Sequence, residues 1–163
     1  MSYGFIAIAL LVLDQLSKWL IQTYLLPYQA KQLWDGWFSI TFVKNYGAAF
    51  GIFHYRTLLL TSITVLIFIL LWIYRRRLLR YPPIFRLGVA LAASGAAGNF
   101  ADRVRLGYVV DFIDFRYWPV FNIADIGIVV GVGLITLYLL KEEIKKSQSR
   151  HSKTSKEFGG GES

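Results

Sequence analysis

The stretch "TLLLTSITVLIFILLWIYRRR" (Thr57–Arg77) carries no charge from Thr57 to Tyr74 and then ends on three arginines. A helix needs about 20 mainly apolar residues to cross the ~30 Å hydrocarbon core of a bilayer. A block of guanidinium groups directly after such a run marks the end held at the cytoplasmic face, where Lys and Arg gather beside membrane spans. This stretch therefore reads as a transmembrane helix, and it sets the solvent for its neighbours: lipid rather than water.

Working outward, three more apolar runs appear, at about 3–26, 84–101 and 123–140. The chain has 163 residues, 55% of them hydrophobic and 17% aromatic, which is too apolar for an ordinary water-soluble domain. The expectation is a membrane all-α bundle of four transmembrane helices, one integral-membrane domain over 1–146. The first run is too long, and too polar at Asp14 and Lys18, for a cleavable signal peptide, and no small-residue cleavage site follows it. The third, with "GVALAASGAAGN" (Gly88–Asn99), is rich in small residues that let backbones approach, so it belongs inside the bundle. The fourth carries "GIVVG" (Gly127–Gly131), a G-x-x-x-G spacing that also favours close packing.

Arg75, Arg76, Arg77, Arg80 and Arg86 lie between the second and third spans, and Lys141, Lys145, Lys146 and further basic residues follow the fourth. Both regions are expected in the cytoplasm, with both chain termini, leaving 27–56 and 102–121 on the extracytoplasmic side. In the first of these, "KQLWDGWFSITFV" (Lys31–Val43) places an Asp35-Gly36 turn signal between two β-prone stretches, predicting a small extracytoplasmic β-hairpin or sheet. Trp34, Trp37, Phe38 and Phe42 suit the aromatic belt at the membrane–water boundary. The tail, 147–163, is polar and rich in Ser and Gly and is expected to be a disordered cytoplasmic segment.

Composition narrows the chemistry. Without cysteine there is no thiol catalysis, disulfide or iron–sulfur site. The two histidines, His54 and His151, have no metal-ligand spacing, so neither a metal site nor any other cofactor is expected. The formal charge of +8 is concentrated at span ends, which argues against nucleic acid as a partner.

The polar residues that lipid should exclude are the informative ones. Asp14 and Lys18 share one face of the first span and can pair. An aspartate at the centre of a span costs roughly 2.5–3.5 kcal/mol, so the pair either fixes helix packing or belongs to an active site. Asn45, in "KNYGAAFGIF" (Lys44–Phe53), is either part of a close-packed turn or a donor to a substrate carbonyl or active-site carboxylate. Asn99 and Arg103 share a face at the end of the third span; Arg103 can anchor at headgroups, with Asp102 pairing to it. Asp114 reads as a solvated loop charge near Arg116.

Asp111, in "GYVVDF" (Gly107–Phe112), and Asp125, opening the fourth span in "FNIAD" (Phe121–Asp125), have no adjacent Lys or Arg. Either could merely cap a helix. Two carboxylates near the lipid boundary without cationic partners also suggest a pair sharing one proton, able to do acid and base work together.

"DQLSK" (Asp14–Lys18), "KNYGAAFG" (Lys44–Gly51), "GNFADRVRLGYVVDF" (Gly98–Phe112) and "FNIAD" occur in this order across the four spans, and this pattern resembles lipoprotein signal peptidase, signal peptidase II. The resemblance covers about Asp14 to Leu140. It implies an aspartyl endopeptidase of the bacterial inner membrane, acting near the extracytoplasmic face as a monomer. Its substrates would be diacylglyceryl-modified prolipoproteins, met within membrane lipid and cut just before the lipidated cysteine. The family's catalytic dyad maps onto Asp111 and Asp125, and its supporting residues onto Asp14, Lys18, Asn45, Asn99, Arg103 and Asn122. Three rivals remain from the residues alone. A transporter or proton channel would use intramembrane polar groups; a Ser/Lys hydrolase would use Lys18 with Ser17, Ser39 or Ser94; an assembly factor would not turn over at all.

Overall fold

The computed structural model describes residues 2–34, 36–47 and 54–159. Among them the chain forms α1 (Ser2–Tyr24), β1 (Ala30–Trp34), β2 (Phe38–Asn45), α2 (His54–Leu78), α3 (Pro83–Leu106), β3 (Val109–Phe115) and α4 (Ile123–Gly159). The four helices are long and apolar enough to cross a membrane, over Tyr3–Tyr24, Thr57–Leu78, Pro83–Leu106 and Ile123–Ser149. The fold is thus a four-helix membrane bundle bearing a small antiparallel sheet.

Helix α3 is the centre of the bundle. It begins on Pro82-Pro83, where a proline at the first helical position loses nothing because its N–H would be unpaired anyway. It stops at Gly107, whose left-handed φ of 79° lets its N–H return to the Arg103 carbonyl. Between these ends it packs most extensively on α4 and α1, with a smaller contact to α2. The α3–α4 contact is backbone against backbone. A Cβ on Gly88 would lie 2.7 Å from the Gly131 carbonyl oxygen, and one on Gly131 2.5 Å from the Ala92 nitrogen. The small residues of both spans are therefore used as the sequence predicts.

Burial is inverted relative to a soluble protein. Phe5, Ile8, Leu59, Leu66, Trp72 and Val129 are exposed, while Asp14, Lys18, Ser94, Asn99, Asp102, Asp111 and Asn122 are buried. Lipid solvates the outer leucines at no cost, but it cannot hydrogen-bond, so every polar group must find its partner inside.

The sheet has the order β1-β2-β3. In β2–β3 the pairs Ile40↔Ile113 and Val43↔Asp111 enclose one extra residue on β2, a bulge. Phe42, within it, exchanges hydrogen bonds with the segment before β1: its N–H donates to Gln29 and its carbonyl accepts from Tyr28. Phe42 is also only 4% exposed, a core residue and not the interfacial aromatic that its sequence context predicts. Trp34 and Trp37 do stand exposed. After β3 the chain doubles back, Phe121 bridging to Ile113, and delivers Asn122 and Asp125 beside the sheet.

Helix α4 also departs from expectation. It continues to Gly159, through the tail read as disordered from Ser147. No proline or glycine lies between Gly133 and Gly159, so a helix nucleated in the span meets no breaker and propagates one hydrogen bond per residue. Two sequence expectations, the turn residue Asp35 and the Gly/Ala run at 48–53, lie outside the described residues.

Candidate active site

Asp111 lies on β3 opposite Val43, so Asn45, two residues further along β2, shares its face of the sheet. The Asn45 amide nitrogen donates to Asp111 Oδ2 at 2.7 Å, while the Asn45 side-chain oxygen accepts the Gly47 N–H at 2.7 Å. A backbone N–H can only donate, so it fixes which end of the amide faces the carboxylate.

The same logic applies twice more. Asn122 is the N-cap of α4: its oxygen accepts the Asp125 N–H at 3.0 Å, and Asp125 Oδ2 accepts the Asn122 N–H at 3.1 Å. This reciprocal capping box satisfies two donors at the helix start. It also turns the Asn122 amide nitrogen to Asp111 Oδ1, 2.7 Å away. Asn99, on α3, accepts Lys18 Nζ at 2.9 Å through its oxygen and donates to Asp125 Oδ1 at 2.8 Å. All four oxygens of Asp111 and Asp125 thus meet one N–H donor each. Asp125 is a cap, as its position allowed, and its second oxygen faces the polar cluster as well.

Behind this pair lies a buried ionic cluster. Lys18 Nζ reaches Asp14 Oδ2 and Asp102 Oδ2, each at 2.9 Å, and with Asn99 these three acceptors use all three ammonium hydrogens. Asp14 Oδ1 accepts the Ala124 N–H at 2.9 Å, at the positive end of the α4 dipole. Asp102 Oδ2 accepts the Val110 N–H at 3.2 Å, tying down the residue before Asp111. Gly98 makes room for this arrangement, since a Cβ there would run into the Asp14 carboxylate.

Burial pushes the Asp111 carboxyl up to about 6, with the charge of Asp125 adding to it and the Asn45 and Asn122 hydrogen bonds opposing. Carboxyl groups held near neutrality beside a second carboxylate are suited to passing one proton between them.

The comparisons with known proteins meet this geometry. Residues 6–141 match the family model described as Signal peptidase (SPase) II. The chain belongs to the signal peptidase II family. It is similar to a lipoprotein signal peptidase of Moorella thermoacetica, with 43% identity over 140 residues, 86% of this chain and 93% of that one. It is also similar to one of Caldanaerobacter subterraneus subsp. tengcongensis, at 46% over 129 residues, 78% and 88% of the two chains. Two solved bacterial membrane enzymes have the same fold. One has a TM-score of 0.79 at 35% identity, covering 86% of this chain and 93% of its own; the other scores 0.81 at 34%, covering 89% and 91%. The protein is a multi-pass bacterial membrane peptidase.

Within this signal peptidase II, Asp14, Lys18, Asn45, Asn99, Asn122, Asp111 and Asp125 form one connected hydrogen-bonded cluster. Arg103 is joined to it by a 3.4 Å bond to the Asn99 carbonyl. Two readings are corrected. Asp102 pairs with Lys18 and not with Arg103, because adjacent helical residues point about 100° apart and cannot face each other. Asp114 is a strand residue whose Oδ2 accepts the Thr41 hydroxyl at 2.8 Å. Sequence reasoning passed over Gln15, whose amide bridges Asp14 Oδ2 and Asp102 Oδ1 at 3.1 Å each; its place beside Asp14 was the available signal. The Ser/Lys alternative finds no support: the Lys18 ammonium is fully engaged, and the Ser17 and Ser94 hydroxyls donate to backbone carbonyls of Asp14 and Ala7.

Proposed function

We propose that this peptidase removes the signal peptide from diacylglyceryl-modified prolipoproteins, cutting just before the lipidated cysteine with Asp111 and Asp125 as a general acid–base pair. The observation that carries the reading is the convergence of the two carboxylates, from β3 and the first turn of α4, on the shared residue Asn122. Asp111, buried and pushed up to about 6, is the partner suited to hold the shared proton. Asp125, half-buried and held by the Asn99 amide and the Asn122 N–H, is the partner that acts on water.

Asp125 takes a proton from water as its oxygen attacks the scissile carbonyl carbon. Asp111 gives its proton to the carbonyl oxygen, producing a neutral tetrahedral gem-diol. On collapse the C–N bond breaks, Asp125 hands its proton to the leaving amine, and Asp111 recovers one from a diol hydroxyl. Both aspartates end as they began. Asn45, Asn99 and Asn122 aim the carboxylates, with Lys18 and Asp14 holding that frame, and Arg103 is placed to bind substrate backbone. The enzyme works as a monomer in the inner membrane, with both termini cytoplasmic and the site near the extracytoplasmic face, where a lipidated substrate enters sideways from the bilayer.

The test is cleavage of lipidated and unlipidated prolipoprotein by the wild type and the Asp111→Asn and Asp125→Asn variants. General acid–base catalysis contributes about 10²–10⁴ in rate, and groups acting as one unit lose activity non-additively. Each single variant should be nearly inactive, the double variant little worse, and the unlipidated substrate should resist. Substantial turnover by either single variant removes the mechanism.

A further inference from the structure

At the end of the sheet remote from Asp111, Trp34 and Trp37 from the β1–β2 hairpin face Phe115 at the end of β3 and Tyr117 and Trp118 from the β3–α4 connection. Together with Arg116 they line a cavity of about 600 Å³. The two walls are fastened to each other. The Arg116 N–H donates to the Trp37 carbonyl at 3.4 Å, and the Trp37 and Tyr117 rings meet edge to face at 5.9 Å. The cavity is therefore built in advance of any occupant.

These rings lie largely open: Trp34 is 72% exposed, Trp118 68% and Tyr117 79%. Such a patch needs a cover, and amphipathic aromatics settle at the level of lipid headgroups. Arg116 adds a charge to it. Its guanidinium lies 5.8 Å from the Tyr117 ring centroid, a cation–π contact that holds the group at the cavity instead of leaving it to sweep through solvent. An apolar floor with one oriented guanidinium fits an amphiphile with an anionic head. Guanidinium binds phosphate oxygens in a bidentate fork. A neutral diacylglyceryl group would make no use of it.

We propose that this cavity is a binding site for an anionic phospholipid of the surrounding bilayer, the phosphodiester on Arg116 and the glycerol and upper acyl chains on the tryptophan rings. The site is separate from the catalytic aspartates and depends on the reading that the sheet lies at the membrane surface.

The test is native mass spectrometry of the full chain in detergent, titrated with phosphatidylglycerol, phosphatidylethanolamine or inorganic phosphate. The wild type should retain one phosphatidylglycerol in preference to phosphatidylethanolamine, and inorganic phosphate should not displace it. Arg116→Gln should weaken retention at least tenfold and Trp118→Leu several-fold, whereas Arg80→Gln, on the α2–α3 connection, should leave it unchanged. Prolipoprotein cleavage in lipid-free detergent should be the same for Arg116→Gln and wild type, which shows that the variant is folded. Equal retention by Arg116→Gln, equal binding of the two lipids, or displacement by phosphate overturns the site. A wild type that binds the lipid but cuts no prolipoprotein overturns the proposed function and leaves this site standing.

Discussion

Replacing Asp111 by asparagine should change stability in a pH-dependent way that its loss of activity does not reveal. The carboxyl rises from 3.8 to about 6 on folding. At 1.36 kcal/mol per unit that is about 3 kcal/mol of differential interaction, and Asp111 is only 2% exposed, so solvent screens little of it. A carboxyl with a raised folded value binds its proton more tightly in the folded state. Its contribution is fully present below pH 3.8 and is lost as pH rises through about 6. Asparagine does not titrate. It does turn an NH₂ toward either Asn45 or Asn122, both donors here, and loses a hydrogen bond at a cost of about 1–3 kcal/mol at every pH. Asp111→Asn should therefore be clearly less stable than wild type at pH 4 and recover by about 2.5 kcal/mol by pH 8. Thermal unfolding in detergent, followed by fluorescence of the five tryptophans, reads this difference directly. Groups distant from Asp111 titrate alike in both proteins and cancel. A gap that is flat with pH, or that widens as pH rises, would refute the account of Asp111.

Lys18→Met should cost about 3–5 kcal/mol, because it leaves Asp14 and Asp102 buried without their counter-ion; yield and melting temperature in detergent check it. Removing residues 147–163 should leave cleavage within a few-fold of the full chain, since none of the polar residues clustered around Asp111 and Asp125 lies in it. Cysteine introduced at Arg77 should be shielded from an impermeant thiol reagent in intact cells while one at Gln32 is labelled, and the reverse pattern would invert the proposed topology.

The spans were legible because lipid imposes a long, uninterrupted apolar signal, and the hairpin because two β-prone stretches flank a turn. Strand β3 was not. "VVDFIDF" (Val109–Phe115) is too apolar to show the alternation of a half-buried strand, and only its pairing with β2 defines it. Among the polar residues, Asp14 and Lys18 could be paired because their spacing puts them on one helix face. The share of Lys18 taken by Asp102 and Asn99 comes from a different helix, which sequence spacing does not reach. The orientation of the three asparagines was equally out of reach. It is set by donors at their oxygens, two of them backbone N–H groups whose direction exists only once the fold does.

In the proposed mechanism that orientation governs proton traffic. Amide N–H groups give hydrogen bonds but accept no proton at working pH, so Asn45 and Asn122 on Asp111, like Asn99 on Asp125, are groups that cannot relay one. Asp111 is buried and Asp125 half-buried, so in the proposed mechanism Asp125 and the substrate exchange protons with Asp111. Among the described residues the hydrogen bonds to the Asp111 side chain all come from amides, so a proton placed there is held by neighbours that cannot carry it away.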